Sequence, residues 1–165
     1  MSKNKTFLVL SPLDYLFPQN CDGKVIYLGN KNHSELEKIN KNAEIIKIKT
    51  TWRNKETLIK DNFYLSNLED NFFSEIRKSY NKVFNTDHSE KYWDLILRPT
   101  IFMIMTFLYE RWQTMEQIKK SEIIDGTNFL KKKNMSLVTY DLNKLSNKIC
   151  DCDYFNQIIY QDIIN

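Results

Sequence analysis

Residues 25–49 read VIYLGNKNHSELEKINKNAEIIKIK, and this stretch decides the fold class. Val25 to Leu28 is a continuous apolar run, the pattern of a strand with both sheet faces covered. Ala43 to Lys49 is a second β-type run. Between them, Ser34 and Glu37 stand three residues apart, so the hydroxyl can cap a helix while the carboxylate reaches back. Strand, helix, strand in this order implies a right-handed crossover and a parallel pair. Upstream, Phe7 to Leu10 is another four-residue apolar run and adds a third strand.

Downstream the period changes. Leu58, Leu65, Leu68, Phe72, Ile76, Tyr80 and Val83 recur at threes and fours, which predicts one apolar stripe of a long helix from about Asn54 to Phe84. Asp87 is the expected cap of a second long helix from about His88 to Lys120. Pro99 lies inside it, removes one backbone donor and predicts a kink or break near Leu95 to Arg98. Two long helices joined by a short loop should pack as an antiparallel hairpin. Asp125-Gly126 reads as a turn, Met135 to Thr139 as a short fourth strand, and Asp141 opens a helix to about Cys150. A final helix carries Phe155, Ile158, Ile159 and Ile163 on one face. The expectation is therefore one α/β domain over residues 1–165: a small parallel sheet of three to four strands, a long antiparallel helical hairpin and a C-terminal helix.

Composition narrows the chemistry. The chain has 165 residues, 42% hydrophobic and 27% charged, enough for a genuine core and unlike a disordered chain. Its 24 cations are dispersed among 21 anions, and the one dense triplet, Lys131 to Lys133, has no interleaved Arg or aromatic residue, which argues against nucleic acid as a partner. Cys21, Cys150 and Cys152 are odd in number and fit reduced thiols in the cytoplasm. The start, MSKNKTFLVLSP, does not read as a signal peptide. The most apolar stretch, Leu95 to Leu108, contains Arg98 and is shorter than the roughly 20 residues a membrane span needs. Two His exclude a His-rich metal centre, and three Gly disfavour a glycine-rich phosphate cradle.

Candidate binding groups follow from position. Ligands of open parallel sheets collect beyond the carboxyl ends of the strands. Ser11 and Asp14 follow the first strand and Arg53 lies beyond the third. Ser11 and Asp14 can bind a sugar hydroxyl or phosphate, or simply form the turn that ends a strand. His88 at a helix start is a cap or a base. Tyr92 and Trp93 can stack on a sugar or fill a core. Arg98, a cation within an apolar run, can hold a phosphate, or can bond the carbonyl freed by Pro99 and reach water.

Four stretches together resemble a family of transferases encoded in bacterial surface-polysaccharide and O-antigen gene clusters. FLVLSPLDYLFP (7–18) is similar to that family's opening strand followed by Thr/Ser-x-Leu and Trp-Pro, and VIYLG (25–29) to its second strand. HSEKYWDLILRPTIFMIMTFLYERW (88–112) resembles its His-Ser…Tyr-Trp…Gly-Pro-Trp…Arg-Trp helix, and DYFNQIIYQDII (153–164) its Asp-x-Trp-Asn…Tyr-Ser helix. Phe17, Thr100 and Phe155 stand where Trp is usual, and Arg98 where Gly is usual. The resemblance implies a two-lobed, glycosyltransferase-like (GT-B-like) enzyme, of which this chain is the N-terminal, acceptor-side lobe or a truncated form. It implies a nucleotide-sugar donor bound by a missing C-terminal lobe or partner chain, a saccharide acceptor, no cofactor in this chain, and no catalysis by this chain alone. Ser11, Asp14, Arg53, His88, Tyr92 and Arg98 are then the expected substrate-side groups. The alternative is a free-standing interaction module built on the helical hairpin, which requires a large exposed apolar stripe on that hairpin.

Overall fold

The computed structural model describes residues 5–18, 21–29, 35, 36, 38, 42–49, 51–131 and 141–165. They form an α/β fold in two compact units, Met1–Lys49 with Trp112–Asn165, and Thr50–Arg111. The expected helix opening at Ser34 and the expected strand at Met135 to Thr139 lie outside the described residues.

Among the described residues, the first unit holds a four-stranded, wholly parallel sheet. Strands β1 (Thr6–Val9), β2 (Lys24–Tyr27), β3 (Glu44–Lys47) and β4 (Gly126–Thr127) lie in the order β3-β2-β1-β4. Val9 pairs with Tyr27 and Tyr27 with Lys47, while Phe7 pairs with Gly126. Gly126, expected in a turn, thus opens a strand. Asp125 explains why: its carboxylate accepts from Thr6 N at 2.7 Å and its own N–H donates to Thr6 O, hooking the chain onto β1. Gly23 permits the close approach of β1 and β2, because a Cβ there would sit 2.1 Å from the carbonyl oxygen of Lys5.

Strand alternation sends side chains to two covered faces. Val9, Val25 and Tyr27 pack with Phe17, Cys21 and Leu36 on one. Leu8, Leu10 and Ile26 pack with Ile118 and Tyr160 on the other. Burial on both sides is what turned these strands into unbroken apolar runs.

The second unit is the hairpin. Helix α1 (Lys55–Phe84) is capped by Asn54, whose side chain accepts from Glu56 N and Thr57 N. It ends at Asn85, the one non-glycine residue with positive φ (51°) among the described residues. Helix α2 (Glu90–Ser121) begins later than expected, and its first-turn acceptor is Ser89 rather than Asp87: Ser89 Oγ accepts from Tyr92 N at 3.3 Å. Residues 85–89 are taken up by the tip turn. The helix also runs unbroken through Pro99. Both Pro99 and Leu95 are exposed, so water can serve the carbonyl that Pro99 leaves unpaired. Glu90–Arg111 of α2 belongs to the hairpin unit and Trp112–Ser121 to the sheet unit.

The hairpin is antiparallel: Asp61 bonds Tyr109, Glu69 contacts Arg98, and Asn81 bonds Trp93. Its packing departs from the stripe read in the sequence. On α1 the buried residues are Asp61, Leu65, Glu69 and Phe73, at four-residue spacing. Of the expected stripe only Leu65 is buried, whereas Leu58, Leu68, Phe72 and Val83 are 42%, 41%, 52% and 76% exposed. Two carboxylates go inward because the hairpin supplies their donors, while much of the apolar stripe keeps more than a third of its surface exposed.

Helix α3 (Leu142–Asp151) is opened by Asp141, which accepts from Lys144 N at 2.7 Å. Helix α4 (Asp153–Ile164) follows at once, and Asn156 Nδ2 donates to the Ile149 and Cys152 carbonyls, tying the two helices together. Among the described residues, no helix is long and apolar enough to cross a membrane.

Candidate functional site

The strand order reverses between β1 and β4, so the crevice beyond their carboxyl ends is the natural ligand position of this sheet. Ser11 stands at the end of β1. It is buried, and its hydroxyl donates to Gln157 Oε1 at 2.7 Å. Gln157 Nε2 donates onward to the Asn128 carbonyl and to Gln161 Oε1, each at 3.2 Å. Gln161 then pairs with both backbone groups of Leu130, accepting from its N–H at 2.9 Å and donating to its carbonyl at 3.2 Å. Asn128 Nδ2 in turn donates to the Leu16 carbonyl. Two glutamines of α4, four residues apart on one face, thus fill the switch point with amide groups. Asp14 lies just outside, exposed at the start of a single 3₁₀ turn (Asp14–Leu16) beside the exposed Tyr15.

A second feature of the same unit is an apolar cleft of about 360 Å³, lined chiefly by Leu8, Met115, Ile118, Ile124 and Ile163 with Glu116 and Lys119 among its polar residues. Nearby, Lys24 pairs with Glu122, which also lines the cleft.

The hairpin unit holds the other four expected residues. Arg53 is exposed, at the end of a 3₁₀ turn (Thr51–Arg53) that precedes α1. His88 and Tyr92 come together at the tip, their ring centroids 4.0 Å apart, with Trp93 edge-on to both rings. Asn81 organises this tip. Its Oδ1 accepts from Trp93 Nε1 at 2.9 Å, from His88 N at 3.1 Å and from Thr86 Oγ1 at 3.1 Å, while its Nδ2 donates to the His88 carbonyl.

Arg98 lies further along the hairpin among three carboxylates. It reaches Asp70 at 3.0 Å, Glu69 at 3.4 Å and Asp94 at 3.6 Å. Both Arg98 and Arg77 also lie over the ring of Phe73, at 5.1 and 5.2 Å from its centre. Glu69 is buried, and its Oε1 has no hydrogen-bond partner. Burial pushes the Glu69 carboxyl above its ordinary value; Arg98 pulls it down, and Asp70 and Asp94 push it up.

The six expected residues thus fall into separate settings: Ser11 inside an amide network, Asp14 and Arg53 at exposed turns, His88 and Tyr92 stacked at the tip, and Arg98 within an ion cluster. Sequence reasoning missed Gln157, Gln161, Asn81 and Glu69. The one local signal was the pair of glutamines four apart on the last helix.

No curated protein and no solved structure matches the chain. The profile of the family described as LIC12162 family transferase matches residues 6–165. That match spans both units and all the groups described above, and the chain accordingly belongs to the LIC12162 family of transferases.

Proposed function

We propose that this chain is the acceptor-side, N-terminal lobe of a glycosyltransferase-like enzyme of bacterial surface-polysaccharide or O-antigen assembly, working in the cytoplasm. Membership of a transferase family supports the reaction class. The observation that carries the lobe assignment is the filled switch point. In a doubly wound sheet a donor pyrophosphate would lie beyond β1, cradled by glycine backbone at a helix N-terminus. Here Ser11, Gln157 and Gln161 occupy that position with groups already bonded to one another. A nucleotide-sugar donor therefore belongs to a C-terminal lobe or partner chain, and this chain offers contacts to a saccharide acceptor. Asp14 and Arg53 stand at exposed turns and His88 and Tyr92 at the exposed hairpin tip, while Arg98 acts through the ion cluster it shapes and Ser11 through its hold on α4.

Calorimetric titration of the chain with nucleotide sugars, coupled to an assay of sugar transfer, tests this reading. No donor binding and no turnover are expected. Tight donor binding or robust transfer by this chain alone would sink it. In the assembled enzyme, Asp14→Ala and Arg53→Ala should raise the acceptor KM, and unchanged kinetics would remove both residues from the site.

The interaction-module reading is favoured by a different observation, the exposed apolar stripe of α1.

A further inference from the structure

The apolar cleft of the sheet unit, about 360 Å³ in volume, has no part in the acceptor-lobe reading. Leu8 of β1 and Thr127 of β4 lie at its floor, on the sheet face that Ile118 and Met115 of α2 help to cover. Ile124 and the last turn of α4, with Ile163 and Ile164, complete the lining. Its size suits a small ligand, since ligand pockets run from about 300 to 1,000 Å³. One turn of a helix, about 10 Å across and 5.4 Å tall, fills about 420 Å³. A partner helix can therefore cover this cleft but not enter it. An apolar cavity of about 150 Å³ takes up benzene, which is about 25 Å³ for each carbon. On that scale the cleft holds roughly fourteen carbons.

We propose that the cleft binds one unbranched aliphatic chain of roughly ten to fourteen carbons, with an uncharged polar end at the rim. The lining selects this class. Thr127 is the polar residue of the floor, and its hydroxyl already donates to the Leu8 carbonyl at 2.7 Å. A polar ligand would leave its own groups unserved there, at a cost that an aliphatic chain does not meet. Met115 adds an unbranched, adaptable side chain that follows the shape of a flexible guest. Charged side chains enter the lining only from Glu116, Lys119 and Glu122. Glu122 is paired with Lys24, whereas Glu116 and Lys119 pair with no other group among the described residues. These four charges cancel, so the rim favours neither an anionic nor a cationic head. Trp112 lines the same cleft with 46% of its surface exposed, and a bound chain would cover part of its indole.

Binding here needs neither donor nor transfer, so the proposal stands or falls apart from the acceptor-lobe reading. The full chain is titrated with straight-chain alcohols and the matching fatty acids, from hexyl to hexadecyl, below their micelle concentrations. Tryptophan emission and calorimetry follow the binding. Each added methylene should tighten it about three- to fourfold. The gain should stop at roughly the fourteen carbons the cleft holds. Alcohols should bind at least as well as acids of the same length. Trp112→Phe should keep the calorimetric affinity and lose the emission change. Ile163→Trp fills the cleft and should weaken binding by about tenfold or more. Ile164→Glu, at an exposed position where the fold is not at stake, should weaken it as well. The proposal is overturned by an absence of binding at every chain length, or by an affinity that keeps climbing through hexadecyl, the mark of an open surface. A preference of about tenfold for the acids, or indifference to both isoleucine variants, overturns it equally.

Discussion

The guanidinium of Arg98 lies 3.4 Å from a carboxylate oxygen of Glu69, which leaves only 4% of its surface exposed and keeps its other oxygen without a hydrogen bond. The pair sets a helix crossing and a proton equilibrium together. Because the folded carboxyl titrates above its ordinary value of 4.5, the folded state holds the Glu69 proton more tightly than the unfolded chain does. The stabilising contribution of that proton is fully present below the unfolded value and is lost as pH rises through the folded one. Glu69→Gln keeps the shape without the charge. It should melt higher than the parent at pH 7, each 1 kcal/mol reading as about 2–4 °C, and the gain should shrink toward pH 4. Equal melting points at pH 7, followed by circular dichroism, would contradict the burial argument. Arg98→Ala strips Glu69 of its cation and should cost about 1–3 kcal/mol in urea unfolding.

Asn81 should be the most sensitive polar residue of the hairpin tip. Asn81→Ala deletes the acceptor shared by Trp93, His88 and Thr86. A loss of about 1–3 kcal/mol is expected, with a red shift of Trp93 emission as its indole finds water. Asn81→Asp keeps the acceptor and loses the donor to the His88 carbonyl, so it should recover part of the loss.

Ser11 and Gln157 should behave as one unit. Ser11→Ala leaves the buried Gln157 Oε1 without its donor, and Gln157→Leu leaves both Ser11 and the Asn128 carbonyl unserved. Each should cost about 1–3 kcal/mol. The double variant should cost less than the two losses together, by roughly 0.5–3 kcal/mol. Strict additivity in denaturant unfolding would mean the hydrogen bond carries no coupling.

Pro99→Ala should stabilise α2, since the helix passes through this position without a break and an alanine would return a donor to the Leu95 carbonyl. A gain of about 1–3 kcal/mol is expected. A net loss would show that the proline fits a bend on which the hairpin depends.

Elements with strong local signals were legible in the sequence. FLVL and VIYL announced β1 and β2 because both of their faces are buried. Asp141 marked the start of α3, where its carboxylate does cap the helix. The packing of α1 was not legible. A periodic pattern tells which side of a helix is apolar, but not which side a neighbour will occupy. Asp61 turned inward because Trp52 and Tyr109 supply its donors, and Glu69 did so beside Arg98. Tyr109 and Arg98 lie 48 and 29 residues away, beyond any local window. The strand-end position singled out Ser11, yet its partner Gln157 is 146 residues distant and gave no sign of the bond.

The amide of Gln161 does for Leu130 what the backbone of another strand would do, taking up its N–H and its carbonyl together. One side chain thereby takes up the main-chain groups of a residue three places beyond β4. A short edge strand is a template on which foreign chains can add, the first step toward aggregation. With its main-chain groups engaged, Leu130 is closed to such an addition. Gln161→Leu would leave both of these groups open to it.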